Sequence, residues 1–339
     1  MSSTNFPPPP AISVVMPAFN AGEYIQESVE CVLKQTLENI ELVIVDDCST
    51  DNTWEIISKI AASDPRCVVY RLEKNSGSAK YPRDLAVSRS RASLICWVDS
   101  DDKIAPDYLE QLLRKQETAD ADVVCSRMVA FDEETPCRYT LPRRGFDYDR
   151  IMPGKEAVML TIGVSWSLNV NGFLVRKSLW EHTAHYLNRE VVQMNADDFA
   201  SREMLLHAGK VAFCPVAYYY RLHQQSITKA ISHKLFEPLI TDQMVIRMFE
   251  RHYPAGSDQL SRAWNQYFGH WILMMRNFVV KNDRFSADSR VRARALLKEH
   301  KRQFGFRRIS KDRMLTLKEK MLLLLPFGIS TRIIKIINT

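Results

Sequence analysis

Polar side chains follow three apolar, β-branched runs in the first third of the chain. The first run ends in Pro17-Ala-Phe-Asn20, the second in Asp46-Asp47 and a later one in Asp99-Ser-Asp-Asp102. A carboxylate cluster on a tight turn suits a hard divalent cation such as Mg²⁺ or Mn²⁺, which often completes its coordination shell with substrate phosphates. Residues 99–102 therefore predict either a metal site or a solvated acidic turn.

The residues after the first two runs suit a nucleoside. Asp47 could accept hydrogen bonds from a base or a ribose, or it could serve the turn and the cap of the next helix. Phe19 could stack on a planar base or fill the core. The chain contains neither Gly-x-Gly-x-x-Gly nor Gly-x-x-x-x-Gly-Lys-Ser/Thr. The main sequence evidence for a dinucleotide-binding site or a P-loop is therefore missing.

The elements that must position these groups alternate between strand and helix patterns over residues 12–131. The strand patterns are Ile12–Met16, Glu41–Val45, Cys67–Leu72, Leu94–Val98 and Val123–Phe131. Strands that are apolar on both faces and separated by helices predict an α/β fold with a mostly parallel sheet. Ligands bind beyond the carboxyl ends of such strands. The three polar clusters are therefore expected to face one crevice.

Six stretches of the chain, taken together and in this order, resemble the family 2 glycosyltransferases. They are Ser13-Val-Val-Met-Pro-Ala-Phe-Asn20, Gln35-Thr36, Ile40-Glu-Leu-Val-Ile-Val-Asp-Asp-Cys-Ser-Thr-Asp-Asn-Thr53, Asn75-Ser-Gly77, Pro82-Arg-Asp84 and Trp97-Val-Asp-Ser-Asp-Asp102. They cover roughly residues 12–130. The resemblance implies the GT-A nucleotide-diphospho-sugar transferase fold, with helices flanking the sheet. From about residue 235 onward the sequence patterns are helical, which predicts a helical C-terminal extension.

The resemblance also implies roles for residues at the crevice. Phe19 would lie against the base, Asp47 would hydrogen-bond it, and Asp101 would hold the Mn²⁺ or Mg²⁺ that bridges the diphosphate. Asp99 would lie near the ribose and the metal. Arg83 would lie near the diphosphate or sugar, although Asp84 replaces the Asn that usually follows this basic residue in the family. The full donor-binding set is Pro17, Phe19, Asn20, Asp47, Arg83, Asp99, Ser100 and Arg221.

The second half of the chain matches the family more loosely. Asp198 corresponds to the carboxylate that acts as general base, while Asp197 replaces the family's usual Glu; the alternative is favourable charge at a helix N-terminus. Arg221, together with His223, would close over the diphosphate. The resemblance places acceptor or sugar contacts in a region that includes Trp166 and Asn171, and we also assign Asp197 and His223 to it. Trp166 could equally be a core residue.

Charge is distributed unevenly along the 339 residues. Residues 281–339 hold 16 Lys/Arg and 5 Asp/Glu, a net charge of +11, so the other 280 residues hold 30 basic and 35 acidic groups, a net charge of −5. A basic tail with apolar residues predicts contact with an anionic membrane surface, or else a helical bundle with a solvated basic face. We expect no nucleic-acid partner, because no binding module accompanies the charge.

Sequence patterns and cysteine content indicate the cellular compartment of the protein. No apolar run approaches the roughly 18–20 residues of a spanning helix, and the N-terminus lacks the pattern of a secretory signal. Seven cysteines without a Cys-x-x-Cys pattern predict reduced core residues. We therefore expect a cytoplasmic protein. The basic tail extends this expectation to peripheral association with the inner face of the plasma membrane.

We divide the chain into a disordered lead-in (1–11), a catalytic domain (12–232) and a helical, basic C-terminal region (233–339). The catalytic domain comprises a donor-binding half (12–131) and an acceptor half (132–232). The resemblance implies an inverting, metal-dependent transfer from a nucleotide-sugar, with UDP as the default nucleotide, to a hydroxyl of a glycan or lipid-linked acceptor in cell-surface polysaccharide synthesis. The alternatives are a non-catalytic nucleotide-sugar-binding subunit and a nucleotidyltransferase.

Overall fold

A ten-stranded sheet forms the centre of the catalytic region. The computed structural model describes residues 9–142, 145–162, 171–184, 196–222, 232–312 and 314–337. The strands are β1 (Ile12–Ala18), β2 (Ile40–Asp46), β3 (Cys67–Arg71), β4 (Leu94–Trp97), β5 (Lys103–Ile104), β6 (Val123–Phe131), β7 (Tyr139–Leu141), β8 (Ile151–Met152), β9 (Phe173–Arg176) and β10 (Val211–Arg221). The five predicted strands correspond to β1, β2, β3, β4 and β6, which confirms the α/β class with a mostly parallel sheet.

The order of the strands brings the predicted polar clusters to one edge. The main path is β3-β2-β1-β4-β9-β6-β10-β5, and β1 pairs in parallel with both β2 and β4. Ala18 is in register with Asp46, so the carboxyl ends of β1 and β2 are level. Between β4 and β6 lies β9, antiparallel to both. The reversed strand β9 therefore joins β1–β4 to the later strands of the sheet.

Helices cover both faces of the parallel strands. They are α1 (Ile25–Leu33), α2 (Thr53–Ser63), α3 (Lys80–Arg89), α4 (Tyr108–Ala119), α5 (Gly154–Ala157), α6 (Lys177–Ala184) and α7 (Ala196–His207). Val14 and Leu42 share one buried cluster with residues of α1, α2 and α4. Val15 and Val43 are also buried and point to the other face, where α3 contacts β1 and β2. Burial on both faces explains the near-continuous apolar runs in these strands.

The described residues form two compact units. The first contains residues up to 184 together with 200–222, and the second contains 196–199 and the residues from 232 onward. The helices of the second unit are α8 (Pro238–His252), α9 (Asp258–Val280), α10 (Ala287–Arg302), α11 (Phe306–Lys311), α12 (Leu317–Leu324) and α13 (Phe327–Ile337). The helical C-terminal extension predicted from the sequence patterns is therefore present.

The second unit has its own aromatic core along α9. Tyr267 and Trp271 are fully buried, and Trp271 Nε1 donates to the Leu297 carbonyl at 2.8 Å. Lys301 is drawn into this unit: its ammonium lies over the Trp271 ring and donates to the carbonyl of Leu322 at 3.1 Å, and burial lowers the Lys301 pKa to about 8. At least one residue of the basic tail is therefore a packing group. Within the described ranges, no helix has both the length and the apolar character to cross a bilayer.

Candidate active site

The acidic turn from Asp99 to Asp102 follows β4 at the carboxyl edge of the sheet. The carboxylates of Asp99, Asp101 and Asp102 each offer an oxygen, and these oxygens lie within 4.8 Å of one another. Asp99 and Asp101 are half-buried, while Asp102 is fully buried. Hard divalent cations prefer such grouped carboxylate oxygens. The turn therefore has the chemistry of a metal site, as the sequence predicts.

Asp102 ties the turn to β10. Its Oδ2 accepts a hydrogen bond from the Tyr218 hydroxyl at 2.6 Å, and its Oδ1 accepts one from the Arg221 backbone N–H at 2.8 Å. The Asp99 backbone N–H donates to the same Tyr218 hydroxyl at 3.2 Å. Burial, aided by the charges of Asp101 and Asp99, raises the pKa of the Asp102 carboxyl well above its usual range. Asp102 is thus an anchor of the turn.

The Asp99 carboxylate lies between two buried donors. Arg83 on α3 donates through Nη2 to Oδ1 at 2.8 Å. Asn171, which forms a parallel bridge with Trp97 beside β4, donates through Nδ2 to Oδ2. Arg83, Asp99 and Asn171, assigned separately from the sequence, therefore form one contiguous group. Asp84 is ion-paired with Lys80 one helical turn away on α3.

Arg221 connects the turn to α1. Its Nε donates to the Asp101 carbonyl at 2.8 Å, and its Nη2 pairs with the Glu27 carboxylate. The guanidinium also lies 4.8 Å from the Tyr24 ring centroid and 4.9 Å from that of Phe131. The bond to Lys103 is the main reason that the Glu27 pKa is lowered, and Arg221 contributes to the same shift. In this structure Arg221 therefore holds the backbone that carries Asp101.

Asp47 faces the loop that precedes α3. Its carboxylate accepts hydrogen bonds from the Ser76 backbone N–H at 2.7 Å, the Ser76 hydroxyl at 2.9 Å and Asn75 Nδ2 at 3.2 Å. Burial raises the pKa of Asp47, although the bonds from Ser76 act in the opposite direction. The arrangement places a buried carboxylate and a polar loop beside the end of β2.

The end of β1 carries an exposed aromatic ring. Phe19 is 46% exposed, whereas Pro17 before it is buried within the strand. Asn20 has a positive φ of 48°, and its Oδ1 accepts a hydrogen bond from the Thr50 N–H at 2.8 Å, which joins the ends of β1 and β2. Phe19 is therefore not core filling, and base stacking stays a prediction. Ser100 is half-exposed in the acidic turn.

The remaining sequence-predicted residues are Asp197, Asp198, Trp166 and His223. Asp197 and Asp198 occupy the first turn of α7 and belong to the second unit. The Asp198 backbone N–H donates to Asp197 Oδ1 at 3.0 Å. Both are half-exposed. Trp166 and His223 lie outside the described residues.

Sequence reasoning missed the supports of the turn. Tyr218 belongs to a Tyr218-Tyr-Tyr220 run in which strand alternation requires at least one buried ring, but alternation does not identify its partner. Asp102 resembled its acidic neighbours, and Glu27 resembled an ordinary surface residue of α1. Only the pairing of β10 with β5 and β6 brings Tyr218 to Asp102 across 116 positions.

Removing the Tyr218 hydroxyl tests this anchor. Tyr218→Phe leaves the Asp102 Oδ2 oxygen without its donor in a buried place, so we expect a stability loss of about 1–3 kcal/mol and about tenfold weaker Mn²⁺ activation of donor turnover. Tyr108→Phe is the matched control, because Tyr108 is equally buried and its hydroxyl donates to Ser126 at 2.9 Å. Urea unfolding and Mn²⁺ titrations check both variants. Equal Mn²⁺ activation in the two would refute the positioning role.

Sequence comparison with known proteins identifies the family of this chain. The sequence profile described as "Glycosyl transferase family 2" matches residues 13–177. Glycosyltransferase GlyG of Streptococcus pneumoniae is 32% identical over 225 residues, which cover 64% of this chain and 73% of GlyG. Poly(ribitol-phosphate) beta-N-acetylglucosaminyltransferase TarP of Staphylococcus aureus is 34% identical over 118 residues, 34% of this chain and 36% of TarP.

A solved structure agrees over almost the whole chain. Residues 1–349 of S. aureus TarS, crystallised in complex with UDP-GlcNAc, superpose with a TM-score of 0.67 at 19% identity, covering 96% of this chain and 88% of that one. This likeness confirms the predicted fold. Together with the profile and GlyG, it shows that this chain is a glycosyltransferase and belongs to family 2.

Proposed function

We propose that this enzyme transfers an N-acetylhexosamine or hexose from a UDP-sugar to a hydroxyl of a glycan or lipid-linked acceptor, inverting the anomeric centre, in cell-surface polysaccharide synthesis. The observation that carries the proposal is the acidic turn beside Asp47 and Phe19 at the carboxyl edge of parallel strands. TarS binds UDP-GlcNAc and TarP is an N-acetylglucosaminyltransferase acting on poly(ribitol-phosphate), which supports this donor class and a surface polymer as acceptor.

The donor's parts correspond to separate residues of the site. Phe19 would stack on the base, because its aromatic side chain is 46% exposed at the end of β1. Asp47, with Asn75 and Ser76, offers the hydrogen-bonding groups for the base edge or ribose. Arg83, whose guanidinium is already bonded to Asp99, would supply positive charge near the diphosphate.

The acidic turn fits a divalent cation, Mn²⁺ or Mg²⁺. The resemblance to the family gives the direct-ligand role to Asp101, whose carboxylate offers an oxygen within 4.8 Å of oxygens of Asp99 and Asp102. When bound, the cation would offset the negative charge that develops on the departing nucleoside diphosphate. The bonds from Tyr218 and Arg221 would keep the turn in place during this step.

Asp198 would act as the general base. The acceptor oxygen forms a bond to the anomeric carbon as the bond from that carbon to the diphosphate oxygen breaks, and the hydroxyl proton passes to the Asp198 carboxylate. One displacement of this kind inverts the anomeric centre. Asp198 lies in the first turn of α7, next to Asp197.

Donor selectivity tests the proposal. We expect UDP-GlcNAc with Mn²⁺ to raise the melting temperature of the purified chain and EDTA to abolish the rise, because a ligand that binds the folded state stabilises it. GDP- and dTDP-sugars serve as comparisons. Slow release of UDP from the donor would distinguish a transferase from a non-catalytic subunit, and release of pyrophosphate from a nucleoside triphosphate would instead indicate a nucleotidyltransferase. Stabilisation by no UDP-sugar would refute the proposal.

The setting that we propose is the inner face of the plasma membrane. The net charge of +11 in residues 281–339, against −5 elsewhere, supports attraction to anionic lipid headgroups. A lipid-linked acceptor would be reached most readily from this surface.

A further inference from the structure

Helix α12 has apolar side chains on its outer face. The helix begins with a capping box in which the Thr316 and Glu319 side chains bond each other's backbone N–H groups, so its ends are well defined. Leu322 and Leu323 are buried at 5% and 2% exposure. Leu317, Met321 and Leu324, in contrast, are 77%, 51% and 38% exposed.

The three exposed residues form a single stripe. At about 100° per residue, Met321 and Leu324 lie within about 40° of Leu317 around the helix, whereas Leu322 and Leu323 lie on the opposite side. Lys318 and Lys320 flank the stripe, one on each side. We call Leu317, Met321 and Leu324 the outer stripe. When a helix packs on one side, its solvent-facing side is normally polar. An apolar outer stripe therefore indicates contact with a partner.

The charge around the stripe indicates which partner it fits. Lysines beside an apolar stripe extend their charged ends to headgroup level while their stems remain in apolar surroundings. The 59-residue segment that contains α12 has a net charge of +11. A surface with a negative potential would attract it. The helix after α12 also exposes an apolar residue, Ile329, at 45%.

We propose that the outer stripe of α12 inserts into the interface of an anionic lipid bilayer, with the exposed Lys318 at the headgroups. Lys320, on the other side of the stripe, donates to the Ser310 carbonyl at 3.1 Å. This inference rests on the membrane-surface setting in the proposed function and names the element that makes the contact. The basic tail brings the enzyme to the surface, and the stripe holds it there. An enzyme held in this way would meet a lipid-linked acceptor in two dimensions.

Vesicle binding by the full chain tests the stripe. We expect the unmodified chain to sediment with phosphatidylglycerol–phosphatidylcholine vesicles and not with pure phosphatidylcholine. The variant Leu317→Ser, Met321→Ser, Leu324→Ser should bind the anionic vesicles about 100-fold more weakly, because three apolar side chains no longer enter the interface. Val291→Ser is the matched control: Val291 is 69% exposed on basic α10, outside the stripe, and this variant should bind as the unmodified chain does.

A further variant separates charge from insertion. Lys318→Gln should weaken binding to anionic vesicles and reduce its salt dependence, while the Ser variant should retain the salt dependence of its residual binding. Unchanged vesicle binding by the Ser variant would overturn the proposal. The proposal would also be overturned if the wild-type chain self-associates while the Ser variant is monomeric and binds vesicles unchanged. The stripe would then be a contact between copies of the chain.

Donor turnover without vesicles keeps the two proposals apart. The Ser variant should release UDP from the donor at the wild-type rate and unfold at the same urea concentration, because the stripe is exposed. Weak vesicle binding with normal turnover supports insertion by α12. Vesicle binding that depends on the stripe in a chain without turnover would refute the proposed reaction and leave the membrane contact standing.

Discussion

Replacing Asp101 by Asn is expected to lower donor turnover by about 10³-fold, because the variant lacks the carboxylate proposed to hold the cation that offsets the charge of the departing diphosphate. The half-buried position of Asp101 predicts little change in stability. The loss should therefore appear as a loss of Mn²⁺ dependence. Measuring UDP release across a Mn²⁺ titration checks this expectation.

A matched control separates the site from its net charge. Asp149→Asn makes the same chemical change at a fully exposed position of the first unit and should leave the Mn²⁺ titration unchanged. If Asp101→Asn responds to Mn²⁺ at the same concentrations as the unmodified enzyme, Asp101 is not the ligand. The supports of the turn, Tyr218 and Arg221, would then be holding it for another purpose.

Replacing Asp198 by Asn is expected to abolish transfer to the acceptor while leaving donor binding nearly intact. A positioned general base contributes about 10²–10⁴-fold, and the amide cannot accept the acceptor's proton. The residues that we propose to bind the donor lie at the ends of β1 and β2, on α3 and in the acidic turn, and Asp198 is not one of them. Single-turnover transfer and donor-induced thermal stabilisation, measured side by side, separate the two effects.

The neighbouring carboxylate provides the comparison. Asp197→Asn removes the same charge from the same helical turn, so it reports the contribution of charge at the helix N-terminus. We expect its loss of transfer to be at least tenfold smaller than that of Asp198→Asn. Equal losses would mean that the turn needs negative charge in general, and Asp198 would then have no special role as a base.

Local patterns were sufficient to predict the parallel strands and the polar groups at their ends. Strands buried on both faces must be apolar throughout, so β1, β2 and β4 are visible as short runs, and the residues after them must reach the same edge. The helical C-terminal region is predictable for the same reason, because one side of a helix such as α9 packs in a core. These properties depend on neighbours within a few positions of the chain.

The sequence by itself determined which side chains stand at the strand ends, and the tertiary structure decided which of them touch. Asp102 and its neighbours look alike in the sequence, yet it is the Asp102 carboxylate that accepts the hydrogen bond from the Tyr218 hydroxyl, because β10 pairs between β6 and β5. The apolar residues of the basic tail predicted packing or membrane contact; the structure assigns Leu322 and Leu323 to the core and Leu317, Met321 and Leu324 to the outer face. Contacts between distant segments depend on strand order and helix orientation, which local periodicity does not encode.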